Sequence, residues 1–275
     1  MKNAAAILLA AFFVPSAPAT GANVTTAAVV PVEPGPALWV VQDLDTTIYL
    51  FGTFHALDSH SGWFNRSVRA AFDASDQLVL ETLVPEDPVE LHSVLARNAL
   101  AREPKPGQPV VSVEGAPSFV ASAGQAMSAG RSMGISVDHG ADAVLRRAAN
   151  ASRKPVDGLE SFEFQLRMFS GLPSPPRSAA RQDKGMGGMI GSMQSAWKRG
   201  DNDRFAAVLG NVRTQSPIAY KTLFTDRNAN WAGWIADRMA QPGTVFVAVG
   251  TGHLIGPDSV QQYLAARGIP SARIS

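Results

Sequence analysis

Two short motifs in distant parts of the chain place a histidine three residues after a glycine. Residues 51–55 read FGTFH at the end of the apolar run IYLF, and residues 249–253 read VGTGH at the end of VFVAV. Each run is typical of a buried strand, and each glycine lets the backbone turn and approach a ligand without an intervening Cβ. The repeated pattern predicts that two strand ends present His55 and His253 to one shared site.

Two carboxylates also stand where predicted strands end. Glu81 follows QLVL and Glu160 follows VDGL. In an open α/β sheet, ligands bind beyond the carboxyl ends of the strands. Two imidazoles and a carboxylate form a known catalytic zinc ligand set that leaves one position open for water. The four side chains therefore predict a mononuclear site for a divalent metal ion such as Mn²⁺, Co²⁺ or Zn²⁺.

Simpler roles stay open for each of these residues. A single histidine near a strand end is often structural or solvated, and a glutamate after a strand often begins a helix, where the dipole favours it. The second explanation fits Glu160, because a helical pattern follows it. His60, in a polar loop close to His55, is the reserve ligand. A site closed by His60 would favour binding without catalysis.

Apolar runs of strand type alternate with segments of helical periodicity, which predicts an α/β fold. Residues 160–241 lack clear strand signals, so they are expected to form a helical insertion in a single domain that spans residues 37–275. The predicted strands are ALWVVQ, TTIYLFG, DQLVLET, RKPVDGLE and PGTVFVAVG, with SARI as an edge strand.

The first residues have the pattern of a secretory signal peptide. Lys2 precedes the apolar run AAAILLAAFFV, and small residues follow up to Ala19 or Ala22. We therefore expect residues 1–22 to be cleaved and residues 23–36 to form a flexible leader. The run is shorter than the roughly 20 residues that span a bilayer. The prediction is a periplasmic or secreted protein without a stable membrane anchor.

The composition excludes several classes of function. None of the 275 residues is cysteine, which rules out disulfides, thiol catalysis and cysteine-ligated zinc. The 24 Lys and Arg residues nearly balance the 23 Asp and Glu residues, and no basic block stands out. The electrostatic footprint of a nucleic-acid-binding protein is therefore missing.

Other patterns have competing interpretations that carry less weight. Residues 130–134, GRSMG, match the G-x-S-x-G of a nucleophile elbow, but no strand-like run precedes Ser132. Residues 250–256, GTGHLIG, miss the dinucleotide-binding spacing by one residue. Methionines at helical spacing favour apolar packing over soft-metal or haem binding. These methionines are Met186, Met189 and Met193. Trp231 and Trp234 are expected in the core or a cleft wall, with a sugar platform open if the substrate is a glycan.

At these residues the sequence resembles the TraB/GumN family, which is related to the TIKI-type metalloproteases. The resemblance covers nearly the whole chain after the predicted leader, from LWVV onward. The order of the matching segments is more specific than a G-x-x-H motif alone. These segments are LWVVQDLDTTIYLFGTFHAL, AFDASDQLVLET, KPVDGLESFEFQ, RNANWAGWI and VFVAVGTGHLIGPDSVQQYLAARG.

The resemblance implies an α/β fold in which two related halves form a mixed central sheet flanked by helices. It also implies that the two G-x-x-H motifs converge, so that His55, Glu81 and His253 hold a divalent metal ion. The implied function is an exported metal-dependent hydrolase, peptidase-like, that acts on a peptide or protein substrate.

Three further residues match family positions and are expected to assist catalysis. Arg227 and Asn228 match an Arg-Asn pair, and Glu160 matches the glutamate of a Gly-Leu-Glu segment. Near a metal, an arginine could polarise a carbonyl, an asparagine could orient water and a carboxylate outside the ligand set could act as a general base. A contact at a helix N-terminus remains the structural alternative for Arg227.

Two alternative functions use the same scaffold. One is a non-catalytic periplasmic binding protein for a metal complex or haem, or an accessory factor in envelope polysaccharide handling, because GumN is associated with polysaccharide gene clusters. The other is a degenerate family member without a metal. An open coordination position with a nearby base would favour the hydrolase.

Overall fold

A mixed six-stranded sheet forms the centre of the protein. We describe a computed structural model over residues 35–64, 66–98, 134–172 and 183–275. The sheet order is β6-β4-β7-β2-β1-β8, and β3 and β5 form a separate two-stranded sheet. In chain order the strands are β1 (Leu38–Gln42), β2 (Thr46–Thr53), β3 (Leu57–Asp58), β4 (Gln77–Thr82), β5 (Ile135–Ser136), β6 (Val156–Glu160), β7 (Gly243–Gly250) and β8 (Ala272–Arg273).

The four strands β6, β4, β7 and β2 run parallel, so their carboxyl ends lie at one edge of the sheet. β1 pairs antiparallel with β2 across a tight turn, in which the side chain of Asp43 accepts a hydrogen bond from the Thr46 N–H at 2.9 Å. β8 pairs antiparallel with β1 at the outer side. The expectation of a mixed central sheet flanked by helices is confirmed.

Helices connect and cover the strands. In the described ranges they are α1 (Arg66–Ala74), α2 (Pro88–Arg97), α3 (Ala141–Ala151), α4 (Phe162–Ser170), α5 (Asp183–Lys198), α6 (Asn202–Gln215), α7 (Pro217–Tyr220), α8 (Asp226–Arg238) and α9 (Val260–Ala265). Short 3₁₀ turns span Val137–His139 and Thr251–Leu254, and a π-helical turn spans Lys221–Thr225. Between β6 and β7 the described residues form helices and connections. That residues 160–241 are a helical insertion in a single domain stays a prediction.

Two apolar cores lie against the sheet. In the first, aromatic side chains predominate, and the ring of Phe51 stacks on that of Trp63 at 5.5 Å between centroids. In the second, valine and isoleucine from the strands pack against Trp231 and Ile235 of α8. Because residues of a strand alternate between faces, the near-continuous apolar runs of β2 and β7 supply side chains to both cores.

Some expectations concern residues outside the described ranges. These include the signal peptide at residues 1–22, nearly all of the leader at residues 23–36, and Ser132 of the G-x-S-x-G motif. Over the ranges that are described, every helix is too short or too polar to cross a membrane.

Candidate active site at the carboxyl ends of the strands

The two glycine-histidine turns pack directly against each other. Thr53, the last residue of β2, is in register with Gly250, the last residue of β7. A Cβ at Gly52 would lie only 3.0 Å from Oγ1 and 3.3 Å from Cα of Thr251. The glycine therefore allows the second turn to approach the first, which brings the segments that carry His55 and His253 to one place.

His55 is oriented by a carboxylate that lies far away in the sequence. Its Nδ1 lies 2.7 Å from Oδ2 of Asp142, in the first turn of α3. The Ala141 N–H donates to the Phe54 carbonyl at 3.0 Å, which holds this helix start against the end of β2. The Asp142 carboxylate stabilises the imidazolium and raises the pKa of His55 to about 9. The ring remains accessible, with 61 % of its side chain exposed.

His253 is buried and is held at both ring nitrogens. Its Nδ1 lies 2.6 Å from the amide oxygen of Asn228, and its Nε2 lies 3.2 Å from Nη1 of Arg227. Burial lowers the pKa of His253 to about 3, so the ring is neutral at pH 7. The Nδ1–H therefore donates to Asn228, and the Nε2 lone pair accepts from the guanidinium. Asn228 in turn donates its amide N–H to the Asp258 carbonyl at 2.7 Å.

Glu81 lies between the two histidines. Its Oε1 accepts the Gly250 N–H at 2.6 Å and lies 3.5 Å from Nε2 of His253. Its Oε2 accepts from Nη2 of Arg227 at 2.8 Å. Burial by itself would raise the pKa of the carboxyl group, but His253, Arg227 and His55 oppose this effect and lower the pKa to about 2. Glu81 is therefore an ionised acceptor in the middle of the site.

Arg227 connects Glu81 to Glu160. The Nε of Arg227 donates to Oε1 of Glu160 at 2.9 Å, and its Nη2 donates to Oε2 at 2.8 Å. The guanidinium also lies 4.6 Å from the ring centroid of Trp231, in cation–π contact. Although burial opposes its charge, Glu81 and Glu160 together raise the pKa of Arg227. The arginine is a fixed internal cation, with 5 % of its side chain exposed.

Both oxygens of Glu160 are engaged in this structure. Besides Arg227, Oε1 accepts from Nε1 of Trp231 at 3.0 Å and Oε2 accepts from Nε2 of Gln165 at 3.2 Å. The carboxylate thus holds the arginine in place. These contacts do not fit the simpler explanation in which Glu160 serves only to begin the helix that follows. Ser161, one residue later, caps α4 instead by accepting from the Phe164 N–H.

The structure leaves the reserve ligand away from the cluster. His60 is exposed, and its ring bonds the hydroxyl of Ser59 at 3.0 Å. Trp231 is buried beside His253, with ring centroids 4.4 Å apart, as expected for a core or cleft-wall residue. Of the methionines at helical spacing, Met189 is exposed and Met193 packs against the first core.

The donor set matches a divalent metal ion in its chemistry. A Cβ at Gly250 would lie 3.1 Å from both Oε1 of Glu81 and Nε2 of His55, so this glycine keeps room between two donors. Each histidine bonds an oxygen through Nδ1, which is how ligating histidines are commonly oriented. In the part of the chain that the structure describes, however, no group of three such side chains is already assembled to hold a metal. Arg227 donates hydrogen bonds to Oε2 of Glu81 and to Nε2 of His253. A metal ion could bind Nε2 of His253 only after Arg227 had broken its hydrogen bond to that nitrogen.

Comparison with known proteins identifies the family. The sequence profile of the TraB/PrgY/gumN family matches residues 37–115 and 115–273. The chain belongs to the TraB/PrgY/gumN family. The resemblance inferred from the motifs is thereby confirmed at the level of the family, and the relation to TIKI proteases stays a prediction.

Relatives of this TraB/PrgY/gumN protein include the uncharacterized protein YbaP of Escherichia coli strain K12 and of Shigella flexneri. Each is 30 % identical over 138 residues, which cover 48 % of this chain and 50 % of the relative. The matching part thus spans about half the length of these curated relatives. No solved structure matches the chain.

Sequence reasoning did not find two residues of the site in this family member, Asp142 and Gln165. The segment DHGADAV has a helical pattern interrupted by a glycine, and an acid in a first helical turn is usually explained by the dipole. The only signal for Asp142 was this position, because its partner His55 lies 87 residues away. Gln165 bonds Glu160 from one turn into α4, a position with no distinguishing sequence pattern.

Proposed function

We propose that the chain is a metal-dependent hydrolase, peptidase-like, in which His55, Glu81 and His253 hold a divalent metal ion. One observation carries the proposal: both histidines are tied through Nδ1 to an oxygen, while Nε2 is left on the side of Glu81. Asp142 orients the ring of His55 and Asn228 orients the ring of His253, so that both rings face Glu81. Such paired orientation costs conformational freedom and is expected where both rings must act on one bound group.

A divalent ion in this position would supply Lewis acidity toward a substrate carbonyl and would make an attacking water more acidic. Mn²⁺, Co²⁺ and Zn²⁺ are the candidate ions, because imidazole and carboxylate together suit them. Asp142 and Asn228 are positioning residues in the proposal, since each fixes the tautomer and ring orientation of a histidine.

In this proposal Arg227 stabilises the negative charge that develops on the substrate during the reaction. Its guanidinium lines the cavity next to His253 and remains protonated. Nη1 would turn from Nε2 of His253 to the oxygen of the substrate carbonyl, where it stabilises negative charge. Glu160 holds the other side of the guanidinium through Nε and Nη2, so the arginine keeps its position during this exchange.

The proposed substrate is a peptide or protein, and a polysaccharide-related substrate is the alternative. The proposed location is the periplasm or the exterior of the cell, on the strength of the signal-like residues 1–22.

A second candidate function is non-catalytic ligand binding, and the position of Arg227 favours it. The guanidinium already bonds Glu81 and His253, so the site has its own cation without any added ion. A protein of this kind would bind a polar ligand at the strand ends and would have no need of a metal.

Metal content separates the two candidates. The chain from residue 23 onward, purified without chelator or affinity tag, would be loaded with Mn²⁺, Co²⁺ or Zn²⁺, and bound ions would be counted by mass spectrometry. The hydrolase predicts about one ion per chain, lost in His253→Ala and kept in the control His60→Ala, whose side chain lies apart from the cluster. Absence of bound metal in the wild type would refute the proposed hydrolase and favour the binding function. With metal present, cleavage of a peptide library and its loss on chelation would test the reaction.

A further inference from the structure

A cavity of about 450 Å³ adjoins the histidine cluster, and most of its wall is apolar. Such a volume is in the range of small-ligand sites. The polar residues that line it include His55, Glu81, Arg227 and His253, which are the residues of the candidate site. The apolar lining residues come from several parts of the chain and include Phe54, Phe169, Phe205, Leu223 and Phe224.

Aromatic rings extend this wall up to the histidine cluster. The rings of Phe224 and His253 lie 5.1 Å apart, and those of Phe54 and Phe205 lie 6.2 Å apart in an edge-on arrangement. Phe224 belongs to the π-helical turn at Lys221–Thr225, which directly precedes the helix that carries Arg227. Such turns are frequent at functional sites. The turn thus supplies apolar wall beside the polar centre.

The rings of this wall are not completely covered by the protein itself. Phe54, Phe169 and Phe224 are each only partly buried, although they border a concave space. Partly exposed aromatic rings that line a cavity beside a polar cluster are typical of a binding site. An apolar group that filled the space would remove these rings from water, which is favourable in proportion to the area covered.

The charged groups of the cavity lining are bonded to one another or to neighbouring side chains. Arg227 is paired with Glu81 and Glu160, and His55 is paired with Asp142. A charged side chain placed against the phenylalanine wall would lose water without gaining a partner there, which is costly. The lining therefore selects against charged side chains at this place.

We propose that this cavity is a subsite for a large apolar side chain, phenylalanine or leucine, of a peptide substrate, next to the bond that is cleaved. The inference rests on the proposed peptidase-like function for its substrate class. The subsite itself is a matter of binding and can be measured without turnover.

The test uses peptides of the form Ac-Ala-Ala-Xaa-Ala-Ala-NH₂, with Phe, Leu, Ala, Asp or Lys as Xaa. Their binding to the wild-type protein without added metal would be measured by isothermal titration calorimetry. The Phe and Leu peptides are expected to bind at least about tenfold tighter than the Ala, Asp and Lys peptides, the scale of discrimination that an apolar pocket provides. Equal affinity across the series, or no binding of the Phe peptide, overturns the subsite.

Two phenylalanine substitutions test whether the preference for Phe peptides over Ala peptides arises in this cavity. Phe224→Ala removes a ring from the cavity wall, whereas Phe164→Ala removes an exposed ring from α4 that does not line the cavity. The preference for Phe over Ala is expected to fall about tenfold in Phe224→Ala and to persist in Phe164→Ala. A preference that survives Phe224→Ala unchanged would contradict the assignment. If Phe224→Ala does not fold, the wild-type series still decides the question.

The two proposals fail in different ways. Selective binding without metal-dependent cleavage would end the proposed hydrolase and leave the apolar subsite standing. Metal-dependent cleavage without any preference for Phe or Leu beside the cleaved bond would end the subsite and leave the hydrolase standing.

Discussion

Arg227 donates from Nη1 to Nε2 of His253 across 3.2 Å, in a site where both side chains are buried. This bond places a permanent cation against the imidazole lone pair that would otherwise face a metal. The same guanidinium pairs with both Glu81 and Glu160, which lie on neighbouring strands β4 and β6. The arginine therefore stabilises two buried carboxylates and restricts access to the histidine at the same time.

Replacing Arg227 by methionine is expected to destabilise the protein strongly. Glu160 would be left without its cation and Glu81 with only His55 nearby, and removal of one partner from a buried ion pair costs about 3–5 kcal/mol. Urea unfolding at pH 7 measures this loss. The loss should shrink as the pH falls, because protonation then removes the uncompensated charges.

The matched control for Arg227→Met is Arg97→Met. Arg97 pairs with Glu163 at 3.2 Å, but 56 % of its side chain is exposed. An exposed pair contributes about 0–1 kcal/mol, so the control should change the free energy of unfolding by no more than that. Similar losses in both variants would show that the ion pairs of Arg227 with Glu81 and Glu160 do not stabilise the fold as described.

His253 predicts a pH dependence of stability in a defined window. Its folded pKa of about 3 lies below the reference value of 6.5, so below pH 6.5 the unfolded chain binds a proton that the folded chain does not. Stability is therefore fully present above pH 6.5 and is lost as the pH falls toward 3. The slope approaches about 1.4 kcal/mol per pH unit for one proton. Glu81 acts in the same direction, but only below its reference value of 4.5. His55, with a folded pKa of about 9, acts in the opposite direction near and above pH 6.5, so the comparison of the wild type with a His253 variant between pH 6.5 and 5 isolates His253.

The measurement is the free energy of unfolding in urea at several pH values. In His253→Gln the loss of stability from pH 6.5 to 5 should disappear, whereas the exposed control His60→Gln should keep the wild-type loss. A slope that persists in His253→Gln would have to come from another group and would argue against a neutral, buried His253.

Replacing Asp142 by asparagine should lower the pKa of His55. The carboxylate is the main cause of the raised value of about 9, so its loss should return the pKa toward 6.5. An NMR titration of the His55 Cε1 proton would follow this change. The control is Asp138→Asn, which alters a carboxylate near the start of the same helix that bonds Ser136 instead. Equal titration of His55 in the wild type and Asp142→Asn would exclude the pairing.

The sequence was sufficient to predict that the central residues of the site lie close together. His55, Glu81, Glu160 and His253 each follow or end an apolar run of strand type, and parallel strands deliver such positions to one sheet edge. The mixed sheet followed from the alternation of strand and helix patterns together with the family resemblance. These features depend on local periodicity and on connection rules, both of which are visible in one sequence.

The partners of these residues could not be predicted in the same way. The bond from His55 to Asp142 depends on how α3 packs against the end of β2, and no local pattern encodes that distance. Glu160 shows the same limit. Its position at a strand end was correctly noted, but its bonds to Arg227 and Trp231 arise from the packing of α8 over the sheet. Side-chain roles of this kind are decided by tertiary contacts.

Thr53 and Thr251 provide a final pair of opposite predictions. Both are buried, but their hydroxyl groups differ: Oγ1 of Thr251 donates to the Thr53 carbonyl at 2.9 Å, whereas Oγ1 of Thr53 has no hydrogen-bond partner among the described residues. A buried hydroxyl without a partner costs about 1–3 kcal/mol, and a satisfied one contributes about 0.5–1.5 kcal/mol. Valine has nearly the shape of threonine and lacks the hydroxyl. Urea unfolding should therefore show a gain of about 1 kcal/mol for Thr53→Val and a loss of similar size for Thr251→Val. A loss in Thr53→Val would mean that its hydroxyl has a structural partner in the folded protein.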